Sequence, residues 1–199
     1  MRRNRKKMLV SSKDLHRSLR SIEQARTQML EDFCSLSEEV ASSKLCRDWW
    51  SPREILEHLY LWEQCVLANV LKSKGEQLRH SLPDLQHPNS RRTFQEIIAP
   101  FVSQRVESPP AMIPSGGASA EYWIGALQAN RLILNTLPAI LTANDLERIS
   151  FPHFAAGPLN VLQWLDFLVF HIERHRQQMR THALRFRSKK TNECNISCG

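Results

Sequence analysis

The stretch Gly157 to Arg180, GPLNVLQWLDFLVFHIERHRQQMR, does most to narrow what this chain can fold into. Its apolar residues recur at threes and fours and predict one long helix, with Pro158 at the first helical position. At ~1.5 Å per residue such a helix reaches about 40 Å, the length of a bundle helix rather than of a connector. Counting back from His175 by threes and fours picks out His171, Leu168, Trp164 and Val161 on one face. The face is otherwise apolar. Two imidazoles therefore point to where a core belongs, and buried imidazoles need partners.

The rest of the chain supplies three more long helical patterns. The first runs from about Ser12 to Phe33, with a narrow stripe of Leu15, Leu19, Ile22, Ala25, Met29 and Phe33. SLSEEVA, residues 35–41, reads as a short turn of helix, with Ser35 and Glu38 spaced as a capping box. The second long helix has the clearest start: in SPRE, Ser51 is the N-cap, Pro52 is at N1 and Glu54 at N3. Its inner face carries Ile55, His58, Leu59, Trp62, Val66 and Val70, and Gly75 is its expected stop. A connection rich in proline follows from Glu76 to Gly117, with one short helix expected over 90–102. The third helix is expected from Ser119 to Leu137, buried through Trp123, Leu127, Leu134 and Leu137. Leu146 and Ile149 anchor an irregular segment before the last helix. No segment shows the period-two alternation of a strand. The expected fold is all-α, a four-helix bundle with a long crossover connection, which allows sequential helices to run the same way.

Charge and cysteine content exclude several classes. The net charge is +7, but Arg2, Arg3, Arg5, Lys6, Lys7, Arg185, Arg187, Lys189 and Lys190 sit at the two ends, and without these nine cations the net charge is −2. The chain is accordingly divided into a basic N-terminal arm (1–11), a bundle domain (12–186) and a flexible tail (187–199). A basic folded face is missing, so nucleic acid is not the expected partner. No apolar run approaches the roughly 18 residues of a membrane span, and the basic start has no apolar stretch behind it. Five cysteines without a CxxC spacing read as free thiols of a reducing compartment, so a cytoplasmic location is expected.

The chemistry rests on His58, His171 and His175. Imidazoles at i and i+4 can reach one ion, and a third from a facing helix completes a set of three that suits zinc, nickel, iron or copper. Three protein ligands leave a coordination position open. The competing reading is three core histidines, each with a buried hydrogen-bond partner. His153 is expected on a surface loop, with the mouth of the pocket as the alternative. His16, His80, His87 and His182 are expected to be solvated, and Glu57 and Glu63 to lie on exposed helix surface, with a partner of the metal site or a base as the alternative for either. Trp62 and Trp164 read as core or as pocket wall, and Cys65 as a buried free thiol.

The residues also resemble a known family. WSPREILEHLYLWE and HFAAGPLNVLQWLDFLVFHIERHRQQ are similar to the two signatures of the DinB-like four-helix bundle proteins. The resemblance extends over about Ser12 to Thr181. It implies an up-down-down-up bundle, a homodimer, and a divalent metal, typically zinc or nickel, on His58, His171 and His175, with Gln178 as the glutamine after the pair. Some relatives are thiol-dependent transferases or isomerases that use low-molecular-weight thiols. The expected function is therefore a metal-dependent transferase joining a thiol to a small electrophilic molecule. The alternatives are a non-catalytic metal-binding or stress-response protein acting as a dimer, and a metal-dependent hydrolase. One departure is His153-Phe154, where the family often has His-Pro.

Overall fold

Spacing of apolar residues becomes packing directly along four long helices. The computed structural model describes residues 11–79, 88–102 and 107–196. The elements in order are α1 (Ser12–Cys34), α2 (Glu38–Ser42), α3 (Pro52–Arg79), α4 (Phe94–Ile98), two 3-10 turns (Ala99–Phe101 and Pro110–Met112), α5 (Ala120–Leu134), α6 (Leu137–Ile140), α7 (Ala143–Arg148), β1 (Ser150–His153), β2 (Gly157–Asn160) and α8 (Val161–Ile196). The inner-face residues expected of α3 are all buried, as are Val161, Trp164, Leu168, His171 and His175 on α8. The stripe of α1 is buried as well, with Leu19 at its half-buried edge.

Side-chain pairs fix the directions of the helices. Ser18 bonds Asp166, and Gln28 and Asp32 bond Arg176, so α1 and α8 run parallel. Tyr60 packs on Trp123 and Gln64 bonds Asn130, so α3 and α5 run parallel. Trp62 meets Phe167 while His58 meets His171 and His175, so α3 and α8 are antiparallel. The result is an up-down-down-up four-helix bundle, with the crossover between α3 and α5 that two parallel neighbours require.

Several element boundaries differ from expectation. The helical turn after α1 is capped by Ser37, whose hydroxyl accepts from the Val40 amide, rather than by Ser35. Helix α3 runs through Gly75 to Arg79; the glycine lacks the positive φ of a helix stop, and a Cβ there would meet nothing within 4 Å. The short helix of the crossover starts at its Thr93–Glu96 capping box and ends in a 3-10 turn. Helix α5 stops at Leu134, and Leu137 begins a separate turn that contains Pro138.

The larger correction precedes α8. Residues 150–153 and 157–160 form an antiparallel pair, Ser150 with Asn160 and His153 with Gly157. Pro158 is therefore in a strand and not at a helix start. The helix begins after Asn160, whose Oδ1 accepts from the Gln163 amide (2.9 Å) while Gln163 Oε1 accepts from the Asn160 amide (2.9 Å). This reciprocal pair is a capping box built from Asn and Gln. At the other end α8 reaches Ile196, so the backbone of 187–196, assigned above to a flexible tail, is helical. The basic arm lies outside the described residues apart from Ser11, the N-cap of α1. Among the described residues no helix is long and apolar enough to cross a membrane.

Candidate metal centre

The site is placed by two helix starts. The Ser51 box, with Ser51 N to Glu54 Oε2 at 2.8 Å and Glu54 N to Ser51 Oγ at 3.2 Å, sets the phase of α3 and turns His58 inward. The Asn160 box sets the phase of α8 and turns His171 and His175 toward α3. Antiparallel packing brings the three together, each more than nine-tenths buried. His171 Nε2 lies 3.1 Å from His58 Nε2 and 3.0 Å from His175 Nε2. One ligand atom from each of the three lies within 4.8 Å of the others.

Proton accounting tests whether this group fits a metal. His58 Nδ1 is 2.6 Å from the Met112 carbonyl, an acceptor, so Nδ1 carries the proton and Nε2 presents a lone pair to the cluster. His171 Nε2 touches both neighbours. A proton on it serves one contact with good geometry and leaves the other short, whereas a cation in the middle takes all three lone pairs. The donor set therefore fits a divalent ion that accepts imidazole nitrogen. Burial keeps the rings neutral, the form a ligand needs. The His58 imidazole is pushed down to about 4 by burial, against the upward pull of the Met112 carbonyl. His171 is held well below its ordinary value by burial first and then by His175 and His58. His175 is lowered by burial and by His58, with the Gln178 side chain pulling the other way.

The group that aims His58 comes from the crossover. Glu57, expected on exposed surface, is buried, and its carboxylate accepts from Ser115 N (2.8 Å), Ser115 Oγ (2.7 Å) and Gly116 N (2.9 Å). This clamp holds the loop whose Met112 carbonyl binds His58. Glu63 is also buried rather than exposed, because Arg26 of α1 reaches it at 2.8 Å. Neither interaction is visible in sequence, since both partners come from distant segments.

The three histidines line a cleft of about 600 Å³, whose walls include Trp50, Trp62, Phe154, Phe167 and Phe170. Trp62 lines it, while Trp164 packs in the core behind. His153 and His182 also line the cleft and are buried, against the expectation of a surface loop and a solvated face. His182 faces Ser43, the residue that ends α2, with Nε2 at 3.0 Å from its Oγ. His153 is covered by Trp62, Trp164 and Phe167. His16 is exposed as expected, and His80 and His87 lie outside the described residues. Cys65 is half-buried beside Asn69, away from the cluster, and burial pushes its thiol up.

Comparison with known proteins agrees with the bundle fold. The chain is 26% identical over 158 residues to the uncharacterised protein YuaE of Bacillus subtilis (strain 168), covering 79% of this chain and 91% of YuaE. The crystal structure of TT2238, a four-helix bundle protein, superposes with a TM-score of 0.57 at 18% identity, over 84% of this chain and 98% of that one. The profile of the DinB superfamily matches residues 21–179, a span that holds all three histidines and both helix starts that aim them, and the chain belongs to the DinB superfamily.

Proposed function

We propose that this chain binds a divalent metal, zinc or nickel, through Nε2 of His58, His171 and His175, and acts as a thiol-dependent transferase on small electrophilic molecules. One observation carries the reading: three buried Nε2 atoms converge on one another at the wall of a cleft of about 600 Å³. A group of three ligands facing a cleft leaves room for an exogenous ligand, whereas a structural site is closed by a fourth protein ligand. Held by these three residues, a divalent cation would supply a lowered pKa to a bound thiol, so that a thiol cosubstrate would be available as thiolate at neutral pH.

The chain's own residues do the remaining work. Met112 and Glu57 orient His58. Burial keeps the three imidazoles unprotonated. The aromatic walls offer flat surfaces to an apolar substrate. None of the described cysteines lines the cleft, Cys65 lying apart from the cluster, so a thiol nucleophile would be brought in as a cosubstrate.

The test is metal content, by elemental analysis of the purified protein and of His58→Ala, His171→Ala and His175→Ala. The expected result is near-stoichiometric metal in the parent and loss in each variant, with far-ultraviolet circular dichroism unchanged. Metal retained in the variants rules out this centre. Metal lost together with the helical signal assigns the ion to a structural role instead.

A further inference from the structure

The metal centre makes no use of His153, which stands across Trp62 and Phe167 from His171. Its tautomer is fixed by its own loop. Nδ1 accepts from the amides of Ala155 (3.2 Å) and Ala156 (3.1 Å), so it carries no proton and the neutral ring is protonated at Nε2. The β1–β2 pairing of His153 with Gly157 holds that loop, and Gly157 makes the turn with φ of 76°. Nε2 is buried and has no hydrogen-bond partner among the described residues. With Nδ1 turned back on the loop, Nε2–H is turned away from it, toward the aromatic wall of the cleft. Burial keeps the imidazole down at about 4, so the ring stays neutral at neutral pH.

A fixed, buried, unpaired donor is costly to keep, and an acceptor brought by a ligand removes that cost. The surroundings say which acceptor. Trp62 and Phe154 pack on one another at a tilt, with ring centroids 5.6 Å apart, and form an aromatic surface beside His153; Phe154 is half-exposed, its ring centroid 4.6 Å from that of His153. The cation among the described lining residues, Arg174, sits on α8 with its guanidinium bonded to the Val102 carbonyl. A carboxylate at His153 would face a single neutral N–H, too little to offset its desolvation. An uncharged oxygen on a flat apolar body is matched on both counts.

We propose that His153 forms a ligand subsite whose Nε2–H holds the carbonyl oxygen of an uncharged aromatic ketone, aldehyde or amide, with the ring of that ligand against Trp62 and Phe154. The subsite makes no use of the metal ligands, and the full chain as purified tests it. The probes are acetophenone and α-methylstyrene, which have the same shape and differ in carrying a carbonyl oxygen or a methylene group. In uniformly 15N-labelled full chain, the His153 ring is expected to show a proton on Nε2, and saturable addition of acetophenone to move that proton downfield. α-Methylstyrene leaves it without a downfield shift. His153→Phe, which keeps the flat ring, is expected to weaken acetophenone binding about tenfold, the worth of one hydrogen bond to a buried donor, and to leave α-methylstyrene within about twofold. A proton on Nδ1, no shift up to the solubility limit of acetophenone, or equal losses for both probes in the variant overturns the proposal. These outcomes say nothing about metal binding, which the alanine variants of the three ligands address separately.

Discussion

A single carboxylate links the crossover to the metal centre. Glu57 accepts three hydrogen bonds from Ser115 and Gly116, and the same loop delivers the Met112 carbonyl to His58. Groups that orient a ligating imidazole typically contribute 10–100-fold to metal affinity, roughly, when removed. Glu57→Ala is accordingly expected to weaken metal binding by about tenfold or more, read by competition with a chromophoric chelator. Glu57→Gln, which keeps one acceptor oxygen, recovers part of the loss. Unchanged affinity in both variants, with only the melting temperature lowered, would mean that the loop does not aim His58. His153 gives a prediction of a different kind. Burial takes its imidazole from 6.5 to about 4 in the folded state, so the unfolded chain takes up the proton first as pH falls. Its contribution to stability is intact above pH 6.5 and is lost as pH falls toward about 4, by about 3 kcal/mol. Urea unfolding at pH 7 and at pH 4.5 should show a smaller acid loss for His153→Phe than for the parent, by most of that amount.

At the scale of elements, each helix is as well placed as its first turn. Helix α8 depends on Asn160 and Gln163, and Gln163 also donates to the carbonyls of Asn89 and Arg92, so one side chain caps the helix and ties down the crossover. Asn160→Ala should lower stability by about 1 kcal/mol, measured by denaturant unfolding, because the Gln163 amide loses its acceptor at a buried helix end. The sequence shows why one helix start was legible and the other was not. Ser51-Pro52-Arg53-Glu54 carries three agreeing signals in four residues. Before α8, Pro158 offers the same N1 signal three residues too early, and the pairing that overrides it lies outside any local pattern. Strands of four residues are too short to show alternation, and Pro152 and Pro158 face each other in the ladder. The stripes of α1, α3, α5 and α8 were legible because 3.6-residue periodicity accumulates over several turns. The same periodicity found His58, His171 and His175 as inward residues. It could not find Met112, whose contribution is a backbone carbonyl, nor the burial of Glu57, His153 and His182, which is decided by partners far along the chain.

For the molecule as a whole, the two sides of α3 hold the bundle together in different ways. Trp62 and His58 face α8 and the cleft. Glu63, next to Trp62 in sequence, faces α1 and α5, where it meets Arg26 at 2.8 Å and Asn130 at 3.5 Å. Arg26 and Glu63 are almost wholly buried, and burial pushes the Glu63 carboxyl up while Arg26 holds it against that. Such a pair is worth little against an apolar replacement but a great deal against losing one partner. Glu63→Ala leaves the buried Arg26 guanidinium with Glu23, at 3.3 Å, in place of its closer partner and should cost about 3 kcal/mol, whereas the double variant Arg26→Met with Glu63→Leu should stay within about 1 kcal/mol of the parent or exceed it. Chemical unfolding of the three proteins decides between these outcomes. Equal destabilisation of the single and double variants would show that the pair itself, rather than the uncompensated charge, supports the fold. Metal content gives the companion measurement. The network lies on the side of α3 opposite the histidines, so the double variant should bind metal as the parent does. The helix register that brings His58 to His171 and His175 would then rest on apolar packing and helix caps, with the buried ion pair selecting which helices become neighbours of α3.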